Sequence, residues 1–402
     1  MSANYTTPGV YRREIFLRPE APFQTGVPAF VGFVSMICWD TNGQPRYGQP
    51  VKLSRKEEFA ATFATPADGY LAEAVKGFFG NGGTSCYVVP TDWWAQDKEA
   101  ALKSSIDALA GLTDFDLLAV PDAMVLSPRT KQTTDSAQAV ARVQRHAAAH
   151  CAEHNDRFAL LDSLAETTPD TVEAQRQSLA SGQTDTTNAA LYYPWIQVYD
   201  AGLKESRPET GGLRFVPPCG HVAGIYARTD AAVGVFKAPA NEEVLGAIEL
   251  ETNVDDRSQG ELNPQGINCL RAFAGRGIRV WGARTLSDDA AWRYVNVRRQ
   301  FLTFNRWVAL NMAWAAFEPN AARLWVRIGR EVGAYLESLW REGGLKGASR
   351  DEAFYVKCDE ETNPPESRDV GEVVTEVGLA LAAPSEFVVV RIFHRAAEAT
   401  AD

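Results

Sequence analysis

The strongest constraint in this sequence is a series of short, continuous apolar segments alternating with helical patterns over more than half of the chain. Ala29 to Val34, Cys86 to Val89, Phe115 to Val120, Arg157 to Asp162 and Tyr193 to Tyr199 read as buried strands. Between them, Tyr70 to Phe79 carries a helical pattern ended by Gly80-Asn81-Gly82-Gly83, and a long helix is predicted from Asp135 to Glu153. A strand that is apolar at every position must bury both faces, and crossover helices supply the cover, so the pattern specifies a parallel sheet clad on both sides. Residues 24–262 are expected to form one doubly wound α/β domain.

After the acidic, polar stretch Glu242 to Asn263 the pattern changes. A helix is predicted from Asp288 to Ala316, with Tyr294, Val297, Phe301, Phe304, Val308 and Met312 on one stripe. Pro319-Asn320 separates it from a second helix striped by Leu324, Ile328, Val332, Tyr335 and Leu339, which Gly343-Gly344 stops. Strands follow at Ala353 to Lys357 and Glu372 to Leu379, so residues 263–383 are expected to be an α+β domain. The chain ends read as arms, 1–23 and 384–402. Val10, Tyr11 and Ile15 lie in one β-prone segment, and Phe387, Val388, Val389, Val390 and Ile392 in the other, both near prolines. A tethered terminal strand can complete a neighbour's sheet as readily as its own.

Chemistry is hard to find. The sequence has six cysteines among 402 residues, with no CxxC pair, which suits free buried thiols better than a zinc ribbon. The longest nearly unbroken apolar run, Val27 to Trp39, is too short for the roughly 20 residues of a membrane span. The first residues lack the features of a signal peptide, so folding in a cytosol is expected. Both glycine clusters, Gly80 to Gly83 and Gly275 to Gly282, have the wrong context or spacing for a phosphate loop. His146, His150 and His154 share a broad helix face. They are the basis of an alternative reading as a metal-dependent α/β enzyme, but no HExxH accompanies them. Cys219 and His221 are too close in sequence to hold nucleophile–base geometry. No catalytic, cofactor or metal site is assigned.

The net charge of −11 argues against a nucleic-acid binder, but the charge is uneven. Residues 271–350 hold fourteen basic side chains, thirteen of them Arg, against six acidic ones. Two readings stand: ordinary helix surfaces laced with ion pairs, or a basic face that meets an acidic partner.

Particular strings then carry a resemblance. These are Thr6-Thr7-Pro8-Gly9-Val10-Tyr11, Val216 to Gly224, Lys237-Ala238-Pro239-Ala240-Asn241-Glu242 and Gly275 to Leu286. Trp292 to Arg299, Val356-Lys357-Cys358-Asp359 with Thr362-Asn363-Pro364-Pro365, and Glu386-Phe387-Val388-Val389 continue the series. In this order they resemble the sheath proteins of contractile phage tails and related injection systems. The short N-terminal arm and single α/β segment look closest to tailocins and extracellular injection systems. The resemblance implies a non-enzymatic subunit that stacks in rings, expected to be hexameric, around an inner tube and contracts to drive the tube through a target envelope. It implies an outer α/β domain inserted in an inner α+β domain built from both chain ends. The implied partners are the chain itself, the inner tube protein, and baseplate and terminal cap proteins, without nucleic acid or direct membrane insertion. Assembly in a bacterial cytoplasm is implied, within a phage tail or a released phage-tail-like particle. Arg341, Lys346 and Arg350 are the expected tube-facing residues. An accessory baseplate- or cap-proximal paralog is the structural alternative.

Overall fold

The computed structural model describes residues 24–37, 46–181 and 184–386. An eight-stranded sheet organises the first two-thirds of them. In spatial order its strands are Gly277–Val280, Ile267–Phe273, Ala189–Tyr193, Phe158–Asp162, Leu117–Ala119, Pro28–Val34, Cys86–Asp92 and Val51–Leu53. The six inner strands are mutually parallel, and an antiparallel strand closes each edge. Both faces are covered. Phe30 meets Phe78 of the Leu71–Gly80 helix, while Phe33, on the opposite face of the same strand, lies beneath Lys98 at the start of the Lys98–Asp107 helix. The Thr134–His154 helix starts at a Thr133 side chain that accepts from Ser136 N–H and ends at Asn155 in the left-handed region.

Two sequence strings turn out to be close-packing devices. Val216 to Gly224 opens the buried Cys219–Ala232 helix, and a Cβ on Gly220 would lie 2.2 Å from Ala74 O, one on Gly224 2.5 Å from Phe78 O. The two helices thus touch backbone to backbone. Gly220→Ala should force them apart and cost about 1–3 kcal/mol, read as a lower denaturant midpoint at unchanged m-value. In the other string, Gly275 and Gly277 both take positive φ in the hairpin turn. Gly282 lets the chain pass Asn268, whose side chain accepts from Arg284 N–H and donates to Arg284 O.

Four expectations change. The run Tyr193 to Tyr199 is not one strand: it breaks at Pro194 into the end of Ala189–Tyr193 in the large sheet and Ile196–Tyr199, the centre of a separate three-stranded sheet. The boundary at residue 262 would cut the large sheet, because Ile267–Phe273 pairs in parallel with Ala189–Tyr193. The polar stretch before it belongs to the same sheet's surroundings. Asn241 and Val244 donate backbone N–H groups to Val280 and Ile278, covering the sheet's outer edge. The helix expected from Asp288 to Ala316 is shorter, Val295–Asn311, with a 3₁₀ turn on either side. The strand expected from Glu372 begins at Glu376.

Two hydrophobic cores result. One runs from Val27 to Leu302; the other gathers Phe304, Leu324, Trp325, Ile328, Val332, Leu336, Leu345 and Phe354. The Val295–Asn311 helix serves both, which is why its burial is wider than one stripe. The Ala322–Arg341 helix keeps the expected one-sided pattern. The second core is floored by a two-stranded ribbon, Phe354–Lys357 with Glu376–Leu379. Asn363 clamps the loop between them, donating to Asp359 O and Val374 O and accepting from Val374 N–H.

Candidate assembly surfaces

The residues expected to form the strand arms, Val10, Tyr11, Ile15, Phe387, Val388, Val389, Val390 and Ile392, lie outside the described residues. The described chain does include the roots from which both arms leave. At the N-terminal root, Gly26 and Val27 donate backbone N–H groups to Asp116 at 3.0 and 2.7 Å. Arg299 bridges Asp116 (3.0 Å) and Asp230 (2.6 Å), and the side chains of all three are at most 6% exposed. Burial pushes the Asp230 carboxyl up, opposed by the Arg299 guanidinium. Arg306, two turns further along the same face of the helix, donates to Gln24 O.

The C-terminal root is held from the same helix. Asn296 donates to Ala382 O at 2.9 Å and to Phe236 O at 2.7 Å. Lys346 N–H donates to Ala380 O, Leu345 bridges Leu381, and Arg284 grips Glu386 through two hydrogen bonds of 2.9 and 2.5 Å. A cleft of about 500 Å³ opens beside this last pair, between Trp281, Asn241 and Pro384. Ion-paired or hydrogen-bonded arginines therefore secure both arm roots. Sequence reasoning missed Asp116, Asp230, Arg284, Asn296 and Arg299 as a group, although the strings around 275–286 and 292–299 contain the last three.

This alters the reading of the basic segment. Arg284, Arg298, Arg299 and Arg306 are buried and bonded within the chain, with Arg298 donating to Asn188 and Asn155. The outward-facing cations are Arg276 and Arg293, and those on or after the Ala322–Arg341 helix. Arg341 is exposed and paired with Glu337 one turn back. Lys346 and Arg350 are also exposed, the latter with its guanidinium 5.2 Å from the Phe354 ring. All three expected tube-facing residues are thus on the surface at one end of the second core.

The crevice at the carboxyl ends of the parallel strands, where doubly wound folds take nucleotides, is filled from within. The buried Asp122 accepts from Phe33 and Tyr70 N–H at the start of the Leu71–Gly80 helix. The buried Asp162 accepts from Cys219 N–H at the start of the Cys219–Ala232 helix. Helix N-termini that could face a phosphate face the protein's own carboxyl groups. Burial pushes these carboxyls up, to about 6 for Asp122 and about 7 for Asp162, from an ordinary 3.8. Their neutral form is favoured on folding, so their stabilisation is full below 3.8 and is lost as pH rises through 6 and 7. Unfolding stability should climb by roughly 2–4 kcal/mol between pH 8 and 5. Asp122→Asn with Asp162→Asn should flatten that slope in thermal melts.

Of the three histidines two meet, the His150 and His154 rings lying 4.5 Å apart, and the third turns away. His146 bonds Asp107 at 2.7 Å, while His150 is buried beside Arg157 and pushed down to about 4 by burial and then by that guanidinium. Among the described residues no group of three His, Cys, Asp or Glu is placed to hold a metal. The described cysteines are free thiols, four of them buried.

The sequence matches the phage tail sheath protein central domain over residues 98–286 and the phage tail sheath C-terminal domain over residues 287–395. The chain belongs to the phage tail sheath family. It is 28% identical over 179 residues to the tail sheath protein of Vibrio phage KVP40, covering 44% of this chain and 26% of that one. Curated relatives of this sheath protein are matched over only 24% to 48% of their length. Solved structures extend the likeness to nearly the full chain. The sheath complex of the PVC extracellular contractile injection system in its contracted state is 28% identical, with TM-score 0.71 over 98% of each chain. A chain of the contracted anti-feeding prophage baseplate is 26% identical, with TM-score 0.77 over 97% of this chain and 99% of that one.

Proposed function

We propose that this sheath protein polymerises as stacked, hexameric rings around an inner tube, is assembled extended, and contracts to drive the tube through a target envelope. The α/β sheet would form the outer part of each subunit. The second core, with both arm roots, would form the inner part. The observation that supports this most is the convergence of both roots on the Val295–Asn311 helix, beside a ribbon to which no third strand is paired among the described residues. A two-stranded ribbon is marginal by itself, and arms arriving from neighbours would complete it. Likeness to both a sheath and a baseplate chain suits a subunit that assembles with its own copies and meets the baseplate. The particle would be a phage tail or an extracellular phage-tail-like device.

Electron microscopy of the expressed chain tests the reading. Hollow striated cylinders are expected, and isolated particles under every condition, inner tube protein included, would overturn it. In the same reading Arg341, Lys346 and Arg350 face acidic residues of the tube. Exposed pairs of this kind contribute about 0–1 kcal/mol each, which suits a contact that must release on contraction. Lys346→Glu with Arg350→Glu should leave the monomer's melting unchanged but impair co-assembly with the tube in pull-downs. Undiminished co-assembly would count against the tube contact.

A further inference from the structure

The end of the second core opposite Lys346 has no role so far and an unusual surface. Phe317, in the loop between the two long helices, is fully exposed, and its φ of +67° lies in the left-handed region, which a bulky aromatic rarely adopts. Val326 is 71% exposed and Val370 72%. They belong to one surface region. Asn320 donates to Glu372 O, Trp325 donates to Asn320 Oδ1, and Arg368 lies over the Trp325 ring, tying the three segments together. Arg323 and Arg330 flank Val326 on the same exposed helix face, and neither has an ion pair among the described residues, whereas Arg327 between them is taken by Glu331. The outcome is an apolar knob with these two arginines, free of ion pairs among the described residues, on its helix side, while the exposed Glu318, Asp369 and Glu372 lie next to Phe317 and Val370. Strained positions of this kind recur at contact sites, and exposed aromatics beside arginine are typical of interface anchors.

The charge distribution names the occupant. The α/β body that holds the large sheet, residues 24–286, carries 31 acidic against 23 basic side chains, a net charge of −8. We propose that Phe317, Val326 and Val370, flanked by Arg323 and Arg330, dock on the acidic α/β body of a second copy of this chain. The contact is heterologous, knob on one copy and receiving surface on the other, and such contacts build rings and open helical stacks. It rests on the sheath reading, since it needs copies arranged head to tail.

The test places p-benzoylphenylalanine at position 317 of the full chain and irradiates particles assembled with the inner tube protein. A covalent dimer of the chain is expected, with the cross-link mapping within residues 24–286. A cross-link only to the tube protein, only to residues 287–386 of another copy, or to nothing in well-formed particles would overturn the proposal. In parallel, Arg323→Glu with Arg330→Glu, and separately Phe317→Ala, should raise the concentration needed for assembly at least about tenfold. These side chains are exposed, so the monomer's melting should not change. Normal assembly by both variants would sink the knob while leaving the sheath reading intact. Failure of the wild-type chain to assemble would count against the sheath reading and take this contact with it.

Discussion

Arg299→Met should lower the stability of the folded chain by about 3–5 kcal/mol, the largest single-residue effect expected outside the hydrophobic cores. The substitution leaves Asp116 and Asp230 facing each other in a site where their side chains are 6% and 2% exposed, with no positive charge between them. Two buried carboxylates cannot both stay ionised there, and taking up a proton at neutral pH costs free energy. Asp116 also accepts the backbone N–H groups of Gly26 and Val27, so the damage spreads to the root of the N-terminal arm. A melting-temperature loss on the order of 10 °C is expected. A triple variant that adds Asp116→Asn and Asp230→Asn should recover part of it, because the uncompensated charge is gone. If Arg299→Met melts like the wild type, the site is hydrated and the buried network is not what holds the root.

Stopping the chain after Glu386 should abolish tube formation and leave a folded monomer. The stop keeps Glu386 on Arg284, so the last described anchor of the body is intact. What goes is the apolar segment Phe387 to Phe393. As a strand in a neighbour's sheet its backbone hydrogen bonds would contribute about 0.5–1.5 kcal/mol each. Burial of Val388, Val390 and Ile392 would add roughly 1.5–3 kcal/mol apiece. Ordering the arm offsets part of this, yet a lattice that loses the link at every subunit has little left to hold it. Sedimentation should show monomer at concentrations where the wild type pellets as tubes. Stopping two residues earlier, after Pro384, is a useful contrast, since it also strands Arg284 and should lower monomer stability. Tubes forming normally from the chain that ends at Glu386 would rule out strand exchange by this arm.

Much of the fold could be read from the sequence because burial leaves a periodic trace. The inner strands of the large sheet are apolar at successive positions, and the Ala322–Arg341 helix repeats its apolar residues at helical spacing. What failed were the places where polarity had a cause other than exposure. Glu242 to Asn263 read only as the polar stretch after which the pattern changes, but backbone near its start pairs with the Gly277–Val280 edge. The arginines of Val295–Asn311 looked like a surface because sequence alone does not show carboxylates that arrive from residues 116 and 230, more than sixty positions away. Conversely, the glycines of Val216 to Gly224 marked a family likeness before their physical task, letting two helix backbones touch, could be known. Arg341, Lys346 and Arg350, singled out through the family resemblance as tube-facing, are exposed, but nothing in the charge pattern distinguished them from Arg323 and Arg330.

One helix anchors both arm roots, and this bears on how a particle made of such subunits could diversify. In an assembly joined through the arms, tension entering by one arm leaves by the other across the few turns from Asn296 to Arg306. It need not traverse the eight-stranded sheet. Loops on the far side of that sheet carry none of the traction, so insertions there could enlarge or redecorate the exterior while the transmission stayed the same.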